Sequence, residues 1–371
     1  MLVSKTSTNN DVVNYAKNVI MYTLFSNNQQ NSEYDLKLTK EGFIFIPNYP
    51  TTFVLNETFY NKLFSILNLA LTPEYTLIKP LTMQVITFND ASIANARGVL
   101  IPARKGKPKR LQGSLKELIN QSEQNNSIPI MDIVNWDFVK SPHAVITGVS
   151  GSGKSYFLKY LFSICSNIGE VIAIDPKASD LARLAKKNKT EDIILPEFID
   201  TNDGQCGISG KFLQNVVTTL KQLESEMYAR QSKIYNSSTK TSTDYRELGL
   251  KPMFIFIDEV AALMTGANKQ VKQDFQDSLT RLIVLGRESG IYLILSMQSA
   301  RAEFLPTLVR DSISLRMKLG RINSENTRFL FPELNEIPMV PLGGKGSGIL
   351  SIAGDINNIG IEPVLTPTIL E

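Results

Sequence analysis

Hydrophobic and polar positions follow different periods in the two parts of the chain. In the first part, apolar residues recur at helical spacing in two places, and elsewhere they alternate around the Lys40-Glu41-Gly42 turn as in a hairpin. The predicted elements are a helix over residues 12–24, a hairpin over residues 36–45, a helix over residues 59–71 and a helix that begins with the capping box of Ser114 and Glu117. These elements predict a small α+β domain over residues 1–127, in which no chemistry is evident.

After a polar stretch at residues 121–127, short apolar runs alternate with amphipathic helical segments. The runs predict five strands, at residues 144–147, 171–174, 253–257, 292–296 and 313–319. This alternation is typical of a mostly parallel sheet covered by helices on both faces. We therefore expect a second domain of α/β fold over residues 128–371.

Composition narrows the function classes. The chain has 371 residues, a length that favours two domains. Its 39 Lys and Arg against 36 Asp and Glu give a net charge of +3, and this charge permits nucleic acid as a partner without requiring it. Two cysteines, Cys165 and Cys206, and one histidine exclude a disulfide framework, a zinc enzyme and a His-based triad. The sequence begins without a signal-peptide pattern and has no apolar run of bilayer length, so we expect a cytoplasmic location without a membrane span.

A phosphate-binding motif follows the first strand of the second part. The pattern G-x-x-x-x-G-K-[ST] is matched by Gly148, Val149, Ser150, Gly151, Ser152, Gly153, Lys154 and Ser155, and a helix is predicted from Tyr156. Its glycines let backbone N–H groups surround phosphates, and the helix N-terminus adds a positive dipole. We expect Lys154 to reach the β- and γ-phosphates and the Ser155 hydroxyl to bind Mg²⁺. We include Tyr156 in the nucleotide-binding set.

A carboxylate pair follows the apolar strand at residues 253–257. Asp258 is predicted to be the Walker B aspartate that holds Mg²⁺, and Glu259 is placed to activate the attacking water. The alternative is that the pair only caps the following helix. The guanine signature N-K-x-D is absent, since residues 188–191 end in Glu191, and ATP is therefore the expected nucleotide. Gln298 lies at the tip of the apolar run over residues 292–297 and either contacts the γ-phosphate or is a surface glutamine.

The motifs occur in an order that resembles a known family. Beside the two nucleotide motifs, the matching segments are Pro142-His143, Asp175-Pro176-Lys177, residues 226–230 and residues 286–298. They resemble the motor domain of the FtsK and SpoIIIE DNA translocases, within the FtsK/HerA group of P-loop ATPases that includes conjugative coupling proteins. The resemblance covers residues 128–365. Tyr292 stands where this family usually has histidine.

The resemblance implies a ring motor, expected as a homo-hexamer that moves along double-stranded DNA. It makes Gln298 a γ-phosphate sensor and predicts that an arginine from the neighbouring subunit completes each site. Arg316 and Arg328 stand where the family carries arginines, and either could instead be structural or DNA-facing. The membrane-anchored relatives carry N-terminal membrane helices and the chromosome-segregating relatives carry a C-terminal winged-helix domain, and from the sequence we expect neither here. We therefore expect a plasmid or conjugative-element motor that a recruiting protein, such as a relaxase or initiator, brings to DNA.

Basic segments are the candidate DNA contacts. The first is residues 104–110, with five positive charges, predicted to be a flexible loop that binds phosphates or a solvated loop without a partner. Further candidates are Lys269 with Lys272 and a cluster formed by Arg183, Lys186, Lys187 and Lys189. Two other functions stay open from sequence alone: an ATP-controlled assembly factor that moves no DNA, and an ATPase that packages DNA into a capsid.

Overall fold

The computed structural model describes residues 8–25, 33–89, 91–125, 127–190, 192–196, 210–265, 267–322, 327–334, 339–340, 344–354 and 360–370. The chain forms two compact units. The first comprises Met1–Pro108 and Asn357–Pro363, and the second comprises Lys109–Ile356 and Val364–Glu371. In the described residues, no helix combines the length and apolar character that crossing a bilayer requires.

The elements alternate along the chain much as the patterns predict. The helices are α1 (Asn9–Leu24), α2 (Glu57–Ala70), α3 (Leu115–Asn125), α4 (Lys154–Ile168), α5 (Asp180–Lys187), α6 (Gly210–Ser237), α7 (Val260–Met264), α8 (Lys269–Ser289) and α9 (Thr307–Ser312). The strands are β1 (Tyr34–Leu38), β2 (Gly42–Pro47), β3 (Tyr75–Leu77), β4 (Lys79–Pro80), β5 (Gln84–Thr87), β6 (Arg97–Lys105), β7 (Gln112–Ser114), β8 (Ile128–Met131), β9 (Val134–Trp136), β10 (Ala144–Gly148), β11 (Glu170–Ile174), β12 (Asp192–Ile194), β13 (Met253–Ile257), β14 (Ile291–Met297), β15 (Leu315–Leu319), β16 (Ser347–Ile352), β17 (Gly360–Leu365) and β18 (Thr368–Leu370).

The first unit is an antiparallel sheet packed against two helices. Its strands run in the order β1-β2-β6-β3, and β5 also pairs with β6. Helix α1 begins at a capping box between Thr8 and Asp11, and the Asn56 side chain caps α2. Apolar faces of both helices meet one face of the sheet in a core that includes Ile20, Phe45 and Leu63. The two helices and the β1–β2 hairpin confirm the elements that the apolar spacing predicts.

The boundary predicted between residues 127 and 128 lies inside the second unit. Ser114 and Glu117 exchange the predicted capping-box hydrogen bonds, of 2.8 and 3.3 Å, at the start of α3. Residues 114–125 belong to the second unit because α3 packs on α4. Leu118 of α3 is fully buried in the core of the second unit. A polar stretch in the sequence marks the end of a helix here, and the compact units divide at residues 108 and 109.

The main sheet of the second unit runs β12-β11-β13-β14-β10-β15-β16. The pairs from β12 to β15 are parallel, and β16 is antiparallel to β15. Residues Phe254–Ile257 are all fully buried, and since successive residues of a strand point to opposite faces, both faces are covered. The predicted mostly parallel α/β sheet is confirmed. Most strand boundaries differ from the prediction by at most one residue, and the largest difference is at β15, which begins at Leu315 because Ile313 is the C-cap of α9.

This strand order brings the site together. In the parallel register Thr147 of β10 lies opposite Met297 of β14, and Leu295 of β14 lies opposite Ile257 of β13. The carboxyl ends of β10, β13 and β14 therefore meet at one edge. Ligands of open parallel sheets bind at that edge.

Candidate active site

The loop between β10 and α4 has the backbone geometry of a phosphate cradle. Gly151 and Gly153 have φ of 78° and 96°, a left-handed conformation that glycine adopts without steric cost. A Cβ added to Gly148 would lie 2.5 Å from the Ser152 hydroxyl oxygen, so the loop closes tightly on itself. Because α4 begins at Lys154, its free N–H groups face the loop and favour an anion there.

The loop forms one wall of a cavity of about 790 Å³. All of the residues predicted to bind nucleotide line it except Ser152, which is a buried residue of the loop. Ser155 and Tyr156 are exposed at the first turn of α4. Cavity size, glycine backbone and helix dipole together suit the polyphosphate of a nucleotide.

Lys154 lies between the two predicted carboxylates. Its Nζ atom is 3.5 Å from Asp258 Oδ1 and 3.8 Å from Glu259 Oε2. Asp258 follows β13, and its N–H donates to the Ile174 carbonyl of β11 over 2.9 Å. Both residues are more than nine-tenths buried and line the cavity. The structure thus brings the predicted Walker A lysine and Walker B pair into one cluster.

Glu259 is held in an unusual backbone conformation. Its φ of 49° and ψ of 66° are left-handed, which is uncommon for a residue with a side chain. One carboxylate oxygen accepts the Gln298 N–H at 3.2 Å, and the other accepts the Lys177 ammonium at 3.2 Å. Although α7 begins immediately afterwards, the Glu259 side chain makes no capping hydrogen bond to that helix. The capping alternative therefore does not describe Glu259.

Gln298 comes directly after β14, and β14 lies between the Walker A and Walker B strands. Its side chain is exposed and lines the cavity, while its backbone N–H contacts Glu259. This location suits the predicted contact with a γ-phosphate, and that role stays a prediction.

Ser296 is a site residue that the sequence reasoning missed. Its hydroxyl donates to Asp258 Oδ1 and accepts from Lys154 Nζ, both over 2.8 Å, and the residue is fully buried. A polar residue inside the apolar run of β14 was the available signal. Lys177 was also missed as a site residue, although the resemblance included it.

The far wall of the cavity comes from a distant part of the chain. The Gly346 N–H donates to the Ser152 carbonyl over 2.7 Å, and a Cβ on Gly153 would lie 2.6 Å from the Gly346 nitrogen. Arg110 donates to the carbonyls of Thr366 and Lys345. These contacts join segments that are far apart in sequence, and no local pattern marks them.

The two predicted arginines lie in different environments. Arg316 of β15 is largely buried, and its guanidinium contacts the Ile313 and Leu330 carbonyls and Glu333 at 3.4 to 3.5 Å. Arg328 is exposed. Neither lines the cavity within this chain.

The prediction that residues 104–110 form a flexible basic loop is wrong for the first of these residues. Arg104 belongs to β6 and forms a bidentate ion pair with the buried Glu362, with both N···O distances 3.0 Å. The strand pairing with β3 and this carboxylate fix its position. Of the other candidates, the side chains of Arg183, Lys186, Lys187 and Lys189 are exposed, whereas Lys272 is half-buried and Gly266 before it lies outside the described residues.

Two resemblance positions have structural roles. The fully buried Asp175 accepts hydrogen bonds from the backbone N–H groups of Lys177, Ser179 and Ala182, which ties the turn after β11 to α5. Arg230 of α6 is buried and donates to the Lys251 and Ser289 carbonyls. Cys165 is buried in α4, and Cys206 lies outside the described residues.

The fold and the site together define a P-loop ATPase: a parallel sheet with a glycine-rich loop, its lysine, and a carboxylate pair on a neighbouring strand. Within that class the chain is similar to FtsK-type proteins, which confirms the resemblance. The FtsK domain-containing protein YdcQ of Bacillus subtilis is 29% identical over 214 residues, or 57% of this chain and 41% of that protein. The DNA translocase FtsK of Streptococcus pyogenes is 25% identical over 240 residues, or 59% of this chain and 28% of that protein.

These matches span less than half of each relative's length. No protein-family model matches the chain. Among solved structures, the monomer of the pCW3 conjugation coupling protein TcpA with ATPγS has a TM-score of 0.54 and 17% identity. The similarity covers 96% of this chain and 94% of that one, so it supports the fold over almost the whole length.

Proposed function

We propose that the protein hydrolyses ATP to move along double-stranded DNA. The observation that carries the proposal is the convergence of Lys154, Asp258 and Glu259 at the mouth of the phosphate cradle, in a chain similar to FtsK-type proteins. A nucleotide-dependent switch that does not turn over ATP steadily needs only the lysine and the aspartate of these three residues. The added buried glutamate suits steady hydrolysis.

The residues around the cradle divide the work of phosphoryl transfer. Backbone N–H groups of the loop and of the first turn of α4 bind the phosphate oxygens, and Lys154 donates to the β- and γ-phosphates. The Ser155 hydroxyl and the Asp258 carboxylate are hard oxygen donors facing the cavity, so they fit Mg²⁺, which supplies charge neutralisation when bound. Glu259 accepts a proton from the water that attacks the γ-phosphate, and Gln298 contacts that phosphate.

We propose that the active form is a ring, expected to be a homo-hexamer, in which an arginine of the adjacent subunit completes each site. Arg328 is the better candidate because its side chain is exposed, whereas Arg316 is engaged by carbonyls and Glu333 of its own chain. Such an arginine stabilises the charge that develops on the transferred phosphoryl group.

The biological setting that we propose is DNA transfer or maintenance of a mobile element, in the cytoplasm, with a recruiting protein such as a relaxase or initiator. The similarity in fold to a protein described as a conjugation coupling protein supports this choice. On this proposal, deletion of the gene from its element lowers transfer or maintenance of that element.

The test of the proposed function is the ATPase rate with and without linear double-stranded DNA, together with displacement of a third strand from a DNA triplex. We expect DNA to stimulate hydrolysis and ATP to drive displacement. Lys154→Ala is the matched control, since removing the ammonium that faces the phosphates abolishes both. An equal ATPase rate with and without DNA and no displacement would overturn the DNA motor and favour an assembly factor.

A further inference from the structure

Four charged side chains form one ionic cluster at the candidate active site. Lys154 is within 4 Å of both Asp258 and Glu259, and Lys177 is 3.2 Å from Glu259. Among the described residues, Lys154 and Lys177 are the cations within ion-pair distance of Glu259. Two cations and two carboxylates therefore balance, and Lys154 is shared between both acids.

This balance changes when a nucleotide binds, because the phosphates recruit Lys154. The Glu259 side chain is only 6% exposed, and a buried carboxylate left without a counter-ion is costly. Without a second cation, Glu259 would hold Lys154 back from the phosphates. The site thus needs a cation that stays with Glu259.

We propose that Lys177 is this counter-ion, a positioning residue that holds Glu259 and so releases Lys154 to the nucleotide. The proposal rests on the proposed binding of ATP at the cradle. Lys177 lines the same cavity, and it approaches the glutamate oxygen opposite to the one that accepts the Gln298 N–H. The carboxylate is thereby held from two sides.

The backbone of Lys177 is fixed independently of its side chain. Its N–H donates to the buried Asp175 carboxylate over 3.0 Å, and the same carboxylate accepts the Ser179 and Ala182 N–H groups. The intervening Ala178 has a φ of 46°, so this turn is tightly constrained. Because its backbone is held in this way, the Lys177 ammonium can remain beside Glu259 while Lys154 moves to the phosphates.

The test is the affinity for ATPγS in the presence of Mg²⁺, measured by calorimetry on the full chain. We expect Lys177→Met to weaken binding about tenfold, less than a fully buried pair would give because the Lys177 side chain is 45% exposed. Lys177→Arg keeps the charge and should bind within about twofold of the parent. Lys233→Met on α6 is the matched control, an exposed lysine that does not line the cavity, and should bind ATPγS as the parent does.

A double variant separates this role from a structural one. Glu259→Gln removes the charge that needs a counter-ion, so Lys177→Met combined with Glu259→Gln should bind ATPγS as tightly as Glu259→Gln alone. Equal affinity of Lys177→Met and the parent, or a double variant as weak as Lys177→Met, would overturn the proposal. Since the assay contains no DNA, absence of DNA-stimulated hydrolysis in the parent would overturn the proposed function alone.

Discussion

His143 offers a prediction with a magnitude that follows from its burial. It is the one histidine in the chain, it is fully buried, and its Nδ1 atom accepts the Leu293 N–H over 3.1 Å. Burial lowers the pKa of His143 from 6.5 to about 4, because the low-dielectric interior disfavours the imidazolium. Protonation of Nδ1 would also break the hydrogen bond to Leu293.

The sign of the effect follows from which state binds the proton. Between about pH 4 and 6.5 the unfolded chain binds a proton at His143 and the folded chain does not, so folding stability rises with pH. The contribution of His143 to folding stability is fully present above pH 6.5 and is lost as the pH falls towards 4. Lowering the pH from 7 to 5 should cost about 2 kcal/mol at this residue, at 1.36 kcal/mol per pKa unit.

The assay compares urea unfolding at pH 7 and pH 5 in the parent and in His143→Asn. Asparagine tolerates the left-handed φ of 60° at this position and retains an acceptor for the Leu293 N–H, so it removes the titration with little change in contacts. Between pH 7 and pH 5, the free energy of unfolding of the parent should fall by about 2 kcal/mol more than that of the variant. Equal losses, or an imidazole NMR signal of untagged protein that titrates near pH 6.5, would refute the reasoning.

Two further predictions concern the candidate site. Glu259→Gln should still bind ATP but hydrolyse it at least about a hundredfold more slowly, as measured by single-turnover kinetics, because no base accepts the proton of the attacking water; the parental rate would assign that task to another residue. Mixing Arg328→Ala with Lys154→Ala subunits should restore part of the ATPase activity, since some interfaces then pair an intact loop with an intact arginine. The same mixture with Arg316→Ala should restore none, and no rescue with either arginine would mean that the site is complete within one subunit.

Strands and the nucleotide motifs were the part of the molecule that the sequence could predict. Buried parallel strands are continuous apolar runs, and residues that follow such strands meet at one edge of the sheet, which is why Lys154 and Asp258 could be paired in advance. Ser296 and Gly346 depend on register between distant segments, which no local pattern contains. The basic run beginning at Arg104 predicts a flexible loop only because its carboxylate partner, Glu362, lies far along the chain.

The contact between Gly153 and Gly346 has a consequence for how the protein acquires its activity. The loop that surrounds the phosphates is supported by backbone from the far end of the second unit, so the cradle is complete only after that segment has docked. The affinity for nucleotide should therefore appear late in folding. A measured affinity then shows that the whole second unit has folded, and not the loop alone. Conversely, bound ATP stabilises the docked segment through mass action, which makes nucleotide concentration a determinant of how long the chain resists unfolding and proteolysis.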